Sequence, residues 1–409
     1  MLFYSWGGDY VRLGNCTIWG RVMDHFELAK KVTPWGSQTR SKSYKRFPDN
    51  YPRFIDGAKG CHVVSGEKGY LDFISALGPI ILGYQDEYVD SYVMDQIRFS
   101  GNLFSLPSRL EAEVAEMLTK IIPCAEMVHF LKNGGDATMA AVRLARAYTG
   151  RKVVLNKGYH GWAVFDQLTS FEDLNMLKNY PDWDYVAAIL VEPELFNGAE
   201  LLEMKSLCEK YGAILIFDEV ISGFRIAMGG VQEFLGVIPD LACFSKAMAN
   251  GYPISALVGK GEIMERLEKD VFVSTTFGGD TIGLAACMGT IRKMKKENVI
   301  NHLWETGSYL REELLKLIDE YQFPMTLYGF SPMIHFKVPE DVHALFLQEM
   351  IKRGIMIYNS HNLNFCHNRT EINKLLEVYV EIFPLIIEGK VKLEGNPIGN
   401  TQTFRQWRT

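Results

Sequence analysis

Between about residue 110 and residue 300, short runs of β-forming residues alternate with segments of helical periodicity. The predicted strands lie at residues 127–131, 152–156, 185–191, 213–217, 241–245 and 255–259. Helical periodicity occupies residues 110–120, 137–150 and 201–212, and glycines close the last two segments. Strands that alternate with helices pair mostly in parallel, with helices covering the sheet. The pattern therefore predicts an α/β fold with a mostly parallel central sheet.

The 409 residues exceed the roughly 100–200 of a typical domain, so we expect a large domain with a smaller companion. Residues 71–300 are predicted to form the large domain. Residues 1–70 and 301–409 are predicted to contribute to a small α+β domain, which an amphipathic helix at residues 303–321 opens on the C-terminal side. The tail, residues 396–409, has no periodicity and is not assigned.

Charge and cysteine content restrict the partners and the compartment. The 43 basic and 49 acidic residues give a net charge of −6, which provides no basic field for nucleic acid or an anionic membrane. The seven cysteines include no Cys-x-x-Cys pair, which argues against a disulfide framework and a zinc site. No basic leader precedes the aromatic first residues, and no apolar run reaches the roughly 20 residues that span a bilayer. We expect a cytoplasmic protein with a small-molecule partner.

Ligands of parallel sheets bind beyond the carboxyl ends of the strands, so we examined the residues that follow each predicted strand. Gly134 and Gly135 lie between a strand and a helix, where backbone N–H groups can approach an anion such as phosphate. A Gly-Gly pair is equally typical of a plain tight turn. Tyr159 follows the next strand and can stack on a flat heterocycle or serve in packing. His160 is compatible with orienting a ligand or with a structural role.

Charged side chains follow three further strands. Glu192 and Asp218 each end an apolar run, where an unpaired carboxylate costs several kcal/mol, although a helix cap or loop position is an alternative for Asp218. Lys246 follows the strand at 241–245 among small and apolar residues, where desolvation favours a neutral, nucleophilic amine. The alternative for Lys246 is an ammonium that reaches the surface. Thr276 offers a hydroxyl beside a second pair of glycines.

A phosphate site, an aromatic plate, a carboxylate and a neutral lysine together describe a site for pyridoxal phosphate. The block FDEVISGFRIAMGGVQEFLGVIPDLACFSKAMANGYPISALVGK holds Asp218 and Lys246. With this block, the chain resembles the class III aminotransferases, pyridoxal-phosphate enzymes of fold type I, and is close to the glutamate-1-semialdehyde aminomutases. The resemblance covers most of the chain.

The resemblance implies a role for each of these residues. Lys246 would carry the cofactor as a Schiff base, and Asp218 would pair with the pyridinium nitrogen. The remaining cofactor contacts implied are Val220 and Tyr159 on the two ring faces, Gly134 and Gly135 at the phosphate, Glu192 beside the cofactor, and Thr276 at the phosphate bound to the neighbouring subunit. An obligate homodimer with shared active sites follows from the role of Thr276.

Two stretches depart from the family pattern. Residues 133–137 read Asn-Gly-Gly-Asp-Ala where the family commonly has Ser-Gly-Thr/Ser-Glu-Ala, which removes one phosphate-binding hydroxyl. No equivalent of the aminomutase arginine in Asn-Ser-Pro-Val-Arg follows Gln38-Thr39. The segments SQTRSK, TFGGDT and SHNLNF are instead similar to aminotransferases that act on carbonyl sugars. Four candidates for substrate specificity lie in the N-terminal segment: Trp35, Arg40, Lys42 and Arg53.

We therefore expect a ping-pong aminotransferase that moves an amino group from a donor such as glutamate to an aldehyde or keto acceptor, with sugars among the candidate acceptors. Intramolecular transfer of the aminomutase type is the alternative. A non-catalytic relative that keeps the fold as a scaffold is a second alternative, against which the intact Asp218 and Lys246 argue. A nucleotide-binding module is disfavoured because the Gly-Lys-Ser/Thr ending of a phosphate loop is missing.

Overall fold

The structure, a computed structural model, describes residues 24–164 and 167–395. The opening aromatic stretch and the tail at 396–409 lie outside these residues. The helices are α1 His25–Val32, α2 Glu87–Phe99, α3 Arg109–Thr119, α4 Gly134–Thr149, α5 Leu174–Lys178, α6 Gly198–Tyr211, α7 Val231–Leu235, α8 Gly261–Met264, α9 Arg266–Lys269, α10 Thr281–Lys296, α11 Val299–Tyr321, α12 Glu340–Lys352 and α13 Arg369–Ile387. The strands are β1 Gly57–Lys59, β2 His62–Ser65, β3 Lys68–Asp72, β4 Met127–Leu131, β5 Val153–Lys157, β6 Thr169–Ser170, β7 Val186–Val191, β8 Ile214–Glu219, β9 Leu241–Phe244, β10 Ser255–Gly259, β11 Thr326–Tyr328, β12 Met333–Lys337, β13 Ile355–Met356 and β14 Ser360–Asn362.

The central sheet has seven strands in the order β4-β10-β9-β8-β7-β5-β6. Strands β9, β8, β7, β5 and β6 pair in parallel, and β10 runs antiparallel to both of its neighbours. The α/β fold with a mostly parallel central sheet is thereby confirmed. The carboxyl ends of β5, β7, β8 and β9 consequently meet at one edge of the sheet.

Both faces of this sheet are buried, and alternate residues of each strand face opposite sides. Along β8, Ile214 and Ile216 belong to the apolar cluster that contains α4, whereas Leu215 and Phe217 belong to the larger cluster on the other side. Asp218 therefore continues the row of residues that faces α4. The strand runs through Glu219. Asp218 therefore lies within β8, whereas the sequence had suggested that it follows the strand.

The helices α4 and α6 end at the predicted glycines, and each begins three residues before its predicted segment. Asn133 caps α4 together with Asp136, and Gly150 ends the helix with a left-handed φ of 69°. Asn197 and Glu200 cap α6 in the same way, and Gly212 ends it at φ 66°. Gly134 and Gly135 form the first turn of α4, so the predicted glycine pair lies at a helix N-terminus.

Two smaller sheets lie outside the central sheet, and one of them combines the N-terminal and C-terminal parts of the chain. The sheet β1-β2-β3-β13 pairs Ile355 with Leu71 in parallel, and β11-β12-β14 form an antiparallel sheet. The smaller α+β unit thus contains strands that precede the central sheet in the chain and strands that follow it. The domain boundaries at residues 70 and 300 remain predictions. Across residues 24–164 and 167–395, no helix is both long and apolar enough to cross a bilayer.

A buried histidine in the smaller unit predicts a loss of stability in acid. His367 accepts a hydrogen bond at Nδ1 from the Asn364 N–H at 3.0 Å, and its Nε2 lies 3.1 Å from the carbonyl oxygen of Asp72. Burial lowers its pKa to about 3, whereas an unfolded histidine titrates near about 6.5. The unfolded chain therefore binds more protons between these two pH values. The contribution of His367 to stability is complete above the unfolded pKa and falls as the pH decreases.

We expect His367→Gln to flatten this acid dependence. Between about pH 6.5 and pH 4.5, the free energy of unfolding of the parent should fall more steeply than that of the variant, by about 1.4 kcal/mol per pH unit. Urea unfolding at a series of pH values measures both slopes. The control is His25→Gln, because His25 is exposed and its replacement should leave the slope unchanged. Parallel curves for the parent and His367→Gln would contradict the prediction.

Candidate active site

Lys246 begins a 3₁₀ turn, Lys246–Ala249, and one residue separates it from the end of β9. Its φ of 43° is in the left-handed region, which non-glycine residues rarely occupy. Ser245, the residue between strand and turn, donates from Oγ to the carbonyl oxygen of Ile254 at 2.7 Å. The backbone that carries the lysine is therefore held in a strained conformation by its surroundings.

The electrostatic environment of the Lys246 amine contains charges of both signs. Its pKa is lowered, chiefly because burial disfavours the ammonium form. Asp218, Glu192 and Glu194 act in the opposite direction, and the Arg225 guanidinium lowers the pKa further. The neutral, nucleophilic form of Lys246 is consequently more accessible than that of an exposed lysine.

Asp218 is 3% exposed and lies on the side of the sheet that α4 covers. Its Oδ2 lies 2.8 Å from Nδ1 of His160, and its Oδ1 accepts the Val220 N–H at 3.1 Å. Thr138 of α4 donates to the carbonyl oxygen of His160 at 2.6 Å, which fixes the backbone at the histidine. The Nε2 atom of His160 is buried and makes no hydrogen bond within the part of the chain that the structure describes.

A second carboxylate lies beside this pair. Glu192 follows β7, and its Oε2 accepts the N–H of Tyr159 at 3.1 Å. Burial and the charge of Asp218 raise the pKa of Glu192. A β-carbon on Gly158 would lie 2.5 Å from Glu192 Oε2, so the approach of the two segments requires a glycine there. Tyr159 is 41% exposed, on the segment that follows β5.

The N-terminus of α4 lies against Val220 and the segment that follows β5. A β-carbon on Gly134 would lie 2.7 Å from Val220 Cγ1, and one on Gly161 would lie 2.7 Å from the α-carbon of Gly135. This close packing leaves the first backbone N–H groups of the helix directed at a site that a phosphate can occupy. Asp136 already accepts the N–H of Asn133 at 2.8 Å, so the remaining donors at this turn come from the glycines.

We expect Gly134→Ala to disrupt this packing. The added methyl group would overlap Val220, which costs about 1–3 kcal/mol unless the helix N-terminus moves away. Thermal unfolding and the cofactor dissociation constant measure the effect, and Val220→Ala in the same chain should relieve most of it. The matched control is Gly198→Ala, because Gly198 is also the first residue of a helix capped by asparagine and a β-carbon there would contact nothing within 4 Å. Equal effects of the two alanines would contradict the prediction.

The structure thus brings seven of the eight predicted site residues to one edge of the sheet: Lys246, Asp218, Glu192, Tyr159, Val220, Gly134 and Gly135. Thr276 is exposed and makes no hydrogen bond to another described residue. It lies four positions before Asp280, whose Oδ2 is 2.7 Å from Lys132 Nζ near the start of α4. The roles assigned to all eight residues remain predictions.

A cavity of about 500 Å³ lies between the N-terminal segment and the backbone at residues 72–77. Its walls are mainly apolar and aromatic, and they include Phe26, Tyr44, Phe47, Tyr51, Phe54, Ile74, Leu77 and Tyr84. Of the four specificity candidates, Lys42 and Arg53 line this cavity, whereas Trp35 and Arg40 are not among its lining residues. Ala76 and Leu77 line the cavity, and Gly78 is the next residue in the chain. A β-carbon on Gly78 would lie 3.9 Å from Cδ of Lys246.

The sequence did not single out Arg225 or Glu194. Arg225 is fully buried, and its presence in the otherwise apolar run Gly223-Phe224-Arg225-Ile226-Ala227 was a signal. Glu194 has a buried Oε2 without a hydrogen bond within the described residues, and burial together with Glu192 raises its pKa. The structure places Nδ1 of His160 2.8 Å from Oδ2 of Asp218, and the role of His160 remains a prediction.

The described residues fit pyridoxal phosphate. A helix N-terminus rich in glycine suits the phosphate, the Asp218 carboxylate can pair with a protonated ring nitrogen, and Lys246 offers an amine of lowered pKa for the aldehyde. These three groups lie at the same edge of one sheet. Nothing in this donor set requires a second cofactor.

Comparison with known proteins identifies the family of the chain. Residues 43–169 and 166–372 match the family Aminotransferase class-III. The chain is 34% identical to a 3-aminobutyryl-CoA aminotransferase of Cloacimonas acidaminovorans, over 86% of this chain and 93% of the relative. It is 30% identical to a glutamate-1-semialdehyde 2,1-aminomutase of Fusobacterium nucleatum, over 90% and 99% of the two chains.

Among solved structures, the PLP internal aldimine form of the FumI protein of Sphingopyxis sp. MTA144 superposes with a TM-score of 0.85 at 27% identity, covering 91% of this chain and 98% of that chain. An omega-transaminase of Sphaerobacter thermophilus superposes with a TM-score of 0.81 over 89% and 97% of the chains, at 24% identity. The fold and the family match lead to one conclusion: the chain belongs to the class-III aminotransferases and is a pyridoxal-phosphate-dependent aminotransferase of fold type I.

Proposed function

We propose that this enzyme transfers an amino group from a donor such as glutamate to a carbonyl acceptor in two half-reactions, so that the first product leaves before the acceptor binds. The observation that carries the proposal is the placement of Lys246 beside both Asp218 and Glu192 at the carboxyl edge of the sheet. An amine of lowered pKa can act as a nucleophile and then as a base at the same place.

When bound, the cofactor supplies a protonated pyridine ring that stores the electrons released when the α-proton of the donor is removed. In the proposed mechanism, Lys246 would accept that proton at Nζ and pass it on to the cofactor. Asp218 would keep the ring nitrogen protonated, and His160 would hold the Asp218 carboxylate in place through its Nδ1. Val220 and Tyr159 would contact the two faces of the ring, and the N-terminus of α4 would bind the phosphate.

The cavity that Ala76 and Leu77 line, next in the chain to Gly78, supports an acceptor with an apolar or aromatic part and an anionic group. Aromatic and aliphatic side chains form most of its wall, and the cations Lys42 and Arg53 can bind a carboxylate or phosphate. The relative from Cloacimonas acidaminovorans acts, by its name, on 3-aminobutyryl-CoA, which carries both kinds of group. Keto-sugars that carry a phosphate would offer Lys42 and Arg53 the anionic group.

An acceptor screen tests the proposal. The purified enzyme should be yellow, and borohydride should fix the cofactor to the peptide that contains Lys246. After treatment with glutamate and removal of the amino donor, the enzyme is mixed with keto acids, semialdehydes, acyl-CoA carbonyl compounds and keto-sugars, and return of the original absorbance identifies acceptors. Turnover of a single amino-aldehyde without any co-substrate would instead support the aminomutase alternative. A colourless protein that takes up no cofactor would support the scaffold alternative.

We further propose that the enzyme is a homodimer in which Thr276 binds the phosphate of the neighbouring subunit. Exposed apolar side chains support this arrangement: Met94, Ile97, Phe99, Phe104 and Leu106 lie on and after α2, and Phe272 and Phe277 lie on either side of Thr276 in the chain. The segment after α2 contacts the start of α10, because the Thr281 N–H donates to the carbonyl oxygen of Asn102 at 2.9 Å. Exposed apolar side chains in this number are typical of a protein interface.

A subunit-mixing experiment tests the shared site. Sedimentation should give a dimer, and Thr276→Ala should weaken cofactor binding by about tenfold through loss of a hydrogen bond to a charged group. Chains carrying Lys246→Ala and Thr276→Ala are then produced together. Each mixed dimer has one site with both residues intact, so about a quarter of the parental activity should return at a cofactor concentration too low for Thr276→Ala alone. No recovery in mixed dimers would contradict a shared site.

A further inference from the structure

Arg225 is a fully buried arginine without a carboxylate partner in residues 24–164 and 167–395. Its Nη1 donates to the carbonyl oxygens of Leu363 at 2.6 Å and Pro332 at 3.4 Å, and its Nη2 donates to that of Gly78 at 2.7 Å. Its Nε makes no hydrogen bond to a described residue. A buried charge that only neutral groups solvate costs several kcal/mol. A cost of this size indicates that the positive charge of Arg225 serves a function.

The carbonyl of Gly78 links Arg225 to the lysine. Gly78 ends the segment 75–78, in which Ser75, Ala76, Leu77 and Gly78 all have positive φ, with values of 47°, 55°, 75° and 98°. A β-carbon on Gly78 would lie 3.4 Å from Ile221 and 3.9 Å from Cδ of Lys246. The backbone that Arg225 holds is therefore the wall against which the Lys246 side chain lies.

The charges around Lys246 explain why a cation is useful there. Asp218 on β8 and both Glu192 and Glu194 after β7 favour the ammonium form of Lys246. Burial lowers the pKa of His335 on β12 to about 4, and the charges of Arg225 and Lys246 lower it further. Because His335 is neutral near pH 7, the charge that acts against these three carboxyl groups at Lys246 comes from Arg225.

We propose that Arg225 is a positioning residue for Lys246: it fixes the Gly78 backbone against the lysine side chain and uses its uncompensated charge to disfavour the ammonium form. This inference deepens the proposed function and rests on it. An arginine suits the role because the guanidinium stays protonated when buried, whereas a lysine readily loses its proton. Burial lowers the pKa of Arg225 to about 10, which leaves it charged at neutral pH.

The test measures the reactivity of Lys246 directly. The full chain, after removal of the cofactor, is treated with a trace of acetic anhydride at pH 6 to 11, and mass spectrometry gives the labelling rate of Lys246 relative to that of Lys59. The Lys59 side chain is 63% exposed and serves as the internal reference. The variants are Arg225→Gln, which removes the charge but keeps a donor, and Arg225→Lys. The matched control is Arg311→Gln, because Arg311 also binds a carbonyl oxygen, that of Gly329, at 2.6 Å.

In Arg225→Gln, we expect the pH midpoint for labelling of Lys246 to rise and the labelling rate at pH 8 to fall several-fold, with Arg225→Lys intermediate and Arg311→Gln unchanged. An unchanged midpoint in Arg225→Gln, with only a lower melting temperature, would overturn the proposal. If Arg225→Gln fails to fold, the parent still decides, since a Lys246 midpoint at or above that of Lys59 overturns the proposal as well. Labelling needs neither cofactor nor substrate, so its outcome is independent of whether the proposed transamination is found.

Discussion

Replacing Lys246 with alanine is expected to lower the rate of amino transfer by about 10⁴-fold, which corresponds to about 5–6 kcal/mol of transition-state stabilisation. The variant loses the nucleophile that holds the cofactor and the base that moves the proton, and no other lysine of the described residues has Asp218 and Glu192 beside it. Absorbance changes on mixing with glutamate measure the first half-reaction. Borohydride treatment followed by peptide mapping measures covalent retention of the cofactor.

The matched control for this experiment is Lys260→Ala. Lys260 also directly follows a strand of the central sheet, β10, but its side chain is 47% exposed and pairs with Asp240 at 2.6 Å. Its replacement should change the rate by less than about twofold, because an exposed ion pair contributes little. Parental turnover by Lys246→Ala would falsify the mechanism, since no other group at this edge of the sheet can replace the amine.

The second large effect is expected for Asp218→Asn. This substitution should lower the rate of the first half-reaction by about 10³-fold, which corresponds to about 4 kcal/mol of activation free energy. Asparagine keeps the shape of the side chain and its acceptor for the Val220 N–H. It removes the negative charge that keeps the ring nitrogen protonated, so the ring stores the electrons of the donor less well. Rapid-mixing absorbance measurements give the rate, and equilibrium dialysis shows whether the cofactor still binds.

Asp240→Asn provides the comparison for this variant. Asp240 precedes β9 at the opposite end of the same sheet, where its Oδ2 accepts the Leu215 N–H at 2.8 Å. This substitution should lower thermal stability and leave the half-reaction rate of the folded enzyme unchanged. If Asp218→Asn behaves in the same way, with reduced stability and an unchanged rate, then Asp218 has no part in the chemistry. Replacing His160 with alanine should give an effect smaller than that of Asp218→Asn, because His160 acts through the carboxylate.

Much of the fold and most of the site were predictable because they depend on local patterns. The strands β4, β5, β7, β8, β9 and β10 were all found within one or two residues of their predicted positions. Once the sheet is mostly parallel, the carboxyl ends of its strands meet at one edge. Residues that follow different strands, such as Tyr159, Glu192 and Lys246, then converge without any further information. The ends of α4 and α6 were also predictable from local sequence, because Gly150 and Gly212 readily adopt the positive φ at which these helices stop.

Contacts between distant segments were decided only by the tertiary structure. The sequence left His160 equally suited to a ligand or to packing, and only the folded chain places its Nδ1 2.8 Å from Asp218. Arg225 joins backbone carbonyls at residues 78, 332 and 363, a combination that no periodicity encodes. Backbone carbonyls are present at every residue, so a sequence cannot indicate which of them a buried guanidinium will find.

The sequence by itself therefore determined the family, the sheet and the chemical groups available at its edge, since periodicity and residue type act over short distances. The tertiary structure decided the electrostatic environment of those groups and the contacts that fix their positions. The pKa of Lys246 depends on the burial of its amine and on the charges of Asp218, Glu192, Glu194 and Arg225. Their separations in space are set by the packing of α4, the strained segment at 75–78 and the C-terminal unit around the sheet.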